Sequence, residues 1–424
     1  MRWSWQTLSG LRGKYEIAGF LVGRNPTAPM TAWSVWFLLF FALGLAALAG
    51  FAGHRITYLR MLQKARRANE LVASLIAQSR RNETVAGAYA LSFSSERAAS
   101  ALEGAEDCYY GPPDFERVTW AGKDMPTPFV GCAPIPGQFA GGFINSMQFR
   151  YAREIDVPKP RNVSRIFVTG GSTAYGSGAT SNDTTIGGYL EKYLNEALLG
   201  RDARCEVVTA AACAWSSTHE RILIENRLIE LEPDMVISFS GHNDVFWGVA
   251  GRNVSWFRGF QDDYFFALAN AALASNLAEE FPSQDPGAGT PVSSDVAARR
   301  LARNVAFSHH ALATVGADYV FALQPVLEVS QKVRTPHEQQ VAAAASGEAW
   351  FVQMESFYQD FRRSLQALEK PGFHFVDTTT IFDGCDDKID LFVDTCHFGD
   401  RANDLIAQCL RGHVLTIIKE RLPA

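Results

Sequence analysis

The segment Arg165-Ile-Phe-Val-Thr-Gly-Gly-Ser-Thr-Ala-Tyr-Gly176 decides how the chain reads. An apolar, β-prone run from Ile166 to Val168 stops at paired glycines, and Ser172 follows at once. Beyond it, residues up to Leu198 read as a glycine-punctuated loop and then a helix. A strand ending in Gly-Gly-Ser sets a serine hydroxyl at the carboxyl end of a parallel sheet, where open α/β sheets keep their ligands.

Downstream the pattern alternates. Strand-like runs are Arg165–Thr169, Cys205–Thr209, Met235–Phe239, Tyr319–Leu323 and Phe373–Val376. Helix-like runs lie between them, at about Thr185–Leu198, Thr218–Leu231, Val296–Val315 and Ala349–Leu368, with a last helix from Arg401 to about Ile418. Nearly continuous apolar strands alternating with helices call for a parallel sheet covered on both faces. The expected fold is a three-layer α/β/α domain around a five-stranded parallel sheet.

Several chemistries compete at Ser172. A Walker-type phosphate loop needs lysine where Ser177 stands, and no Gly-x-Gly-x-x-Gly follows the strand. Gly170-Gly-Ser-Thr-Ala174 approaches the Gly-x-Ser-x-Gly nucleophile elbow, but in that fold the acid and the histidine come from separate loops. Here they are compact, in Asp394-Thr-Cys-His397 just before the last helix. A carboxylate three residues ahead of an imidazole can accept from Nδ1–H and fix the tautomer, leaving Nε2 to take a serine proton. Gly241-His-Asn-Asp244 places an Asn243 amide after the third strand, and Ala210-Ala-Ala-Cys-Ala-Trp-Ser216 makes a small-residue turn after the second. Backbone N–H groups of Ser172 and Ala211, with the Asn243 side chain, then converge on one oxyanion.

Together these residues resemble the SGNH/GDSL hydrolase superfamily, whose four blocks match Gly170-Gly-Ser172, Ala211, Gly241-His-Asn-Asp244 and Asp394-Thr-Cys-His397 in order. The resemblance runs from about Arg161 to the C-terminus. It departs at Gly171, where the type motif has Asp, and at Ala211, where the type has glycine. It implies a flavodoxin-like fold and acyl-ester hydrolysis or acyl transfer through an acyl-Ser172 intermediate, with no metal or other cofactor. His397 would be base then acid, Asp394 its orienting partner, and Ser172, Ala211 and Asn243 the oxyanion donors. O-acyl groups on a glycan, or lipid esters, are the expected substrates. An O-acyltransferase with the same triad and a silent scaffold of the same fold are the rivals.

Structural roles compete at each residue. Ser172 can serve as a helix N-cap and Asn243 can tie a turn to the sheet. His242 reads as structural or pocket-lining, Asp244 as a brace for its loop, and Trp247, Trp256 and Phe257 as core or pocket wall. The segment from Val249 to Ser294 reads as an insertion able to form a lid over Ser172 or to dock on the membrane, and Ser330 to Gly347 as a wall of the cleft.

The N-terminal part has another character. Ala32 to Gly53 carries no charge, and such a helix spans the roughly 30 Å hydrocarbon core of a bilayer. Trp33 and Trp36 suit an interfacial anchor, and the long leader favours an uncleaved transmembrane helix over a signal peptide. The flanking cations, Arg2, Arg12, Lys14 and Arg24 against Arg55, Arg60, Lys64, Arg66 and Arg67, nearly balance, so charge does not orient the span. The expectation is a single-pass membrane protein with an extracytoplasmic, periplasmic catalytic domain. The division expected is a flank (1–31), a transmembrane helix (32–53), a juxtamembrane helix (54–84), an irregular extension (85–160) and the hydrolase domain (161–424).

The whole chain has 424 residues, 47% hydrophobic and 20% charged, with net charge -6. That acidic balance, without a basic patch interleaved with aromatics, argues against nucleic acid as a partner. Oligomeric state is not legible. The seven cysteines include no Cys-x-x-Cys, against a structural zinc site, while Cys108 and Cys132 flank a loop-rich stretch and can pair in an oxidising compartment.

Overall fold

A computed structural model describes residues 39–51, 53–63, 124–139, 142–251, 290–368 and 370–421. Residues 1–38 and 64–123 fall outside this range, as does most of the segment after Val249, with Trp256 and Phe257. Cys108, the proposed partner of Cys132, is outside it too.

Two units are distinguished, divided after Ala73. In the first, helix α1 runs over Leu39–Gln63 and is long and apolar enough to cross a membrane. At 1.5 Å per residue its 25 residues measure about 38 Å. Its apolar side chains are exposed, Phe40, Leu48 and Phe51 among them. The expected span ends at Gly53, inside this helix, which runs on past Arg55 and Arg60 to Gln63.

The second unit begins, in its described part, with two antiparallel hairpins. Strands β1 (Asp124–Thr127) and β2 (Gly131–Pro134) form one, β3 (Gly137–Phe139) and β4 (Gly142–Ile144) the other. The main sheet follows: β5 (Val163–Gly170), β6 (Arg204–Thr209), β7 (Met235–Ser240), β8 (Asp318–Leu323) and β9 (Phe373–Asp377). All four pairings are parallel, in the order β6-β5-β7-β8-β9. The three-layer α/β fold with a five-stranded parallel sheet is therefore as expected, and each strand lies within two residues of its expected limits.

Period-two alternation distributes the strand side chains to two cores. Ile166, Val168, Ile237, Phe239, Val320 and Ala322 face helices α3 (Ile186–Ala197) and α9 (Asp400–Arg421). Phe167, Val236, Tyr319, Phe321 and Leu323 face α4 (Ser217–Asn226), α6 (Ser294–Thr314) and α8 (Ala349–Gln366). Burying each large side chain contributes about 1.5–3 kcal/mol. Among the described residues three further α-helices are α2 (Ser172–Tyr175), α5 (His242–Val249) and α7 (Pro336–Ala345).

The chain reverses direction across the sheet at β5, with β6 on one side and β7 on the other. Such a switch point opens a crevice at the carboxyl ends of the strands. The turns after β5, β6 and β7 all meet there.

Candidate active site

The turn that carries Ser172 is built by glycines. Gly170 has φ +150, and a Cβ on it would overlap Phe239 O and the Ala174 side chain. Residue 171 is closed to side chains for another reason: its Cβ would fall onto Asn243 Nδ2 and lie 3.0 Å from Trp215 O. Only this pair lets β5 end flush against the neighbouring turns and start α2 at Ser172. The first N–H groups of a helix have no intrahelical partner, and among the described residues Ser172 N–H meets no protein acceptor.

Asp394 and His397 occupy the tip of a small hairpin loop. An antiparallel bridge between Phe392 and Phe398 closes it, and Val393 N–H donates to His397 O at 2.9 Å. Inside the tip, Asp394 Oδ1 accepts from Cys396 N–H at 2.8 Å and His397 N–H at 2.7 Å. Its other oxygen, Oδ2, is 2.6 Å from His397 Nδ1. His397 Nε2 then lies 2.6 Å from Ser172 Oγ, across 225 residues of sequence. Serine, imidazole and carboxylate thus form one continuous hydrogen-bonded line.

The line is buried and its charges are coupled. Burial works against an ionised Asp394, but His397 and the two backbone donors outweigh it and bring the carboxyl down to about 2. Burial likewise disfavours a charged His397, and the Asp394 carboxylate, helped by the Cys396 thiol, raises the imidazole well above 6.5. A carboxylate held ionised beside the imidazole fixes its tautomer and stabilises the imidazolium that forms once the neutral ring has taken a proton. Asp394, Cys396 and His397 also bring three potential metal-ligand atoms within 4.8 Å of one another. The Nδ1–Oδ2 hydrogen bond already uses the imidazole and carboxylate atoms that face each other.

Asn243, in the first turn of α5, donates from Nδ2 to Trp215 O at 2.7 Å. An amide nitrogen carries two hydrogens, so one remains to donate beside Gly171. His242 is buried behind it, with Nδ1 3.3 Å from Asn243 Oδ1, and packs edge-on to Trp350. Asp244 accepts from Ser217 N–H and Ser217 Oγ–H, and so braces the start of α4 rather than its own loop. Trp247 is buried, donating from Nε1 to Ala214 O at 3.1 Å.

Ala211 is placed differently from Ser172, Asn243, Asp394 and His397. Ala210 N–H and Ala212 N–H both point at β5, to Val168 O (2.8 Å) and Gly170 O (3.4 Å). The intervening Ala211 N–H makes no such bond to β5. The turn comes up against Gly171, next to Ser172, only further on, at the Trp215 carbonyl. Ala214 sits in the left-handed region, φ 62, next to the Trp215 carbonyl that holds Asn243, and among the described residues its N–H meets no protein acceptor. Ala214 thus offers an open backbone N–H beside this turn that the sequence reading missed; a residue type that rarely takes positive φ gives no signal.

A residue from outside the expected hydrolase domain also supports the turn. Arg150, nearly fully buried, donates to Tyr175 O (3.2 Å) and Gly176 O (2.8 Å) at the end of α2 and to Ser181 O (3.2 Å) in the loop that follows.

No family model and no curated protein matches the chain. Among solved structures it is similar to an acetyl xylan esterase, with 13% identity over 59% of this chain and 99% of that one and a TM-score of 0.36. A catalytic mutant of an acetylxylan esterase from Geobacillus stearothermophilus gives 12% identity over 59% and 94%, with a TM-score of 0.36. A GDSL-like lipase from Bacteroides thetaiotaomicron gives 10% identity over 60% and 88%, with a TM-score of 0.31. These are similarities to esterases at low identity; what the site can do chemically rests on the distances above.

Proposed function

We propose that the chain is a serine esterase that cleaves O-acyl esters through an acyl-Ser172 intermediate. The observation that carries this reading is the unbroken line from Ser172 Oγ through His397 to Asp394, both contacts at 2.6 Å. His397 Nε2 takes the Ser172 proton as Oγ attacks the ester carbonyl, forming a C–O bond and a tetrahedral oxyanion. The imidazolium, stabilised by Asp394, then protonates the departing alkoxide, and water repeats the sequence to release the acid. Asn243 Nδ2–H and the amides of Ser172 and Ala214 are the groups available to the oxyanion. Acyl groups on a glycan, or lipid esters, are the proposed substrates. The α1 helix is the proposed membrane anchor, with the catalytic domain outside the cytoplasm.

The direct test is trapping. Intact-mass analysis during turnover of a p-nitrophenyl ester should show one added acyl group, located on Ser172 by peptide mapping. Turnover without any acyl-enzyme, under single-turnover mixing, would overturn covalent catalysis. The oxyanion assignment has its own expected result: Asn243→Ala lowers kcat by about 10²–10³-fold with little change in KM. A loss expressed in KM alone would place Asn243 in ground-state binding instead.

A further inference from the structure

The turn that bears Asp394 and His397 is gripped at its root by a buried carboxylate from another element. Glu338, fully buried in the first turn of α7, directs Oε1 at Leu391 N–H (3.0 Å) and Phe392 N–H (3.2 Å). These are the residues that lead into the hairpin closed by Phe392 and Phe398. Its other oxygen, Oε2, accepts from Lys332 Nζ (2.7 Å) and Thr335 N–H (3.0 Å), completing a capping box with Thr335. The neighbouring contacts run the same way: Leu327 N–H donates to Thr395 O at 2.9 Å, His337 Nε2 lies 3.0 Å from Val393 O, and Thr335 Oγ bonds Asp390.

A buried carboxylate with four donors is costly to assemble and rigid once assembled. An ordinary helix cap needs only the Thr335 contact. The remaining oxygen is spent on two consecutive amides of the catalytic loop, and so fixes the direction in which that loop leaves for its tip. The geometry points to Glu338 as a positioning residue, which holds the 391–397 loop so that His397 Nε2 stays within reach of Ser172 Oγ. This inference rests on the esterase reading. Because the Nε2–Oγ contact is only 2.6 Å, a shift of about 1 Å at the tip costs on the order of 10²-fold in rate.

Two double variants separate positioning from simple stabilisation. Lys332→Met with Glu338→Gln removes the ion pair but keeps an amide oxygen for Leu391 and Phe392. Lys332→Met with Glu338→Met removes the ion pair and the oxygen. Two readouts are taken well below each variant's Tm: the rate of fluorophosphonate labelling, and the downfield proton resonance of the His397 Nδ1–H shared with Asp394. The Gln variant is expected to stay within about threefold of wild type and keep the resonance. The Met variant is expected to label about 10²-fold more slowly and lose or shift it. Equal labelling by both, or losses in both that simply follow Tm, would overturn the proposal. If the Met variant does not fold, Glu338→Asp takes its place: it keeps the charge but withdraws it from the two amides, and a wild-type rate and resonance from it would be equally fatal. A wild-type protein that shows the resonance but never labels would count against the esterase reading, while the resonance in the variants would still decide the role of Glu338.

Discussion

Ser172→Ala is expected to abolish covalent labelling by a fluorophosphonate and to lower ester turnover by about 10⁴-fold or more, with the fold unchanged. The substitution removes one oxygen from a helix start that keeps its backbone donors, so no packing is lost. Substrate binding should therefore survive, with KM nearly constant. Labelling that persists in Ser172→Ala would put the nucleophile elsewhere. Complete absence of labelling in a folded wild-type protein would favour a silent scaffold of the same fold.

Asp394→Asn is expected to cost about 10⁴-fold in kcat, and its pH dependence should carry a sign of its own. Asp394 Oδ1 already accepts two backbone N–H groups, so the amide oxygen of the substituted side chain takes that position. Its NH2 then donates to His397 Nδ1, the ring proton moves to Nε2, and Nε2 presents a hydrogen to Ser172 where a lone pair is needed. In wild type the acid limb of kcat/KM should lie above pH 6.5, because the Asp394 carboxylate raises His397 and only the neutral ring is a base. Removing the carboxylate should move that limb to lower pH while the plateau stays depressed. A limb that does not move would dissociate Asp394 from the His397 charge. The stability linkage has two sides. Asp394, lowered from 3.8 to about 2, contributes above 3.8 and loses its contribution as pH falls through about 2. His397, raised above 6.5, contributes below 6.5 and loses its contribution as pH rises through the raised value. Urea midpoints of wild type and Asp394→Asn should thus differ most between about pH 4 and 6.5.

The sheet is legible in the sequence because its strands are short, apolar and bounded by turn residues, so burial on both faces prints itself on the chain. Ser172 and Asn243 are legible as positions at strand ends, and the Asp394–His397 turn as a spacing just before the last helix. Counting outward from β6 stops at Ala211, whereas the turn runs on to Ala214, whose positive φ no alanine advertises. Helix α7 lies within the stretch from Ser330 to Gly347 that reads only as a cleft wall, although Thr335-Pro336 with Glu338 is a capping box with proline at the first position. Arg150 and Glu338 act through contacts that close only in three dimensions, at separations of 26 and 53 residues. Such contacts leave no local periodicity to read.

Gly171 has a consequence for how this sequence can change. A side chain there would occupy the volume of the Asn243 amide, so the position accepts one letter of the alphabet while Asn243 keeps its place. Aspartate at residue 171 is not a neutral exchange in this chain: it would have to be accompanied by a rearrangement of the turn after β7. The turns after β5 and β7, far apart along the chain, are therefore sterically coupled: a side chain at residue 171 and the present place of the Asn243 amide exclude each other.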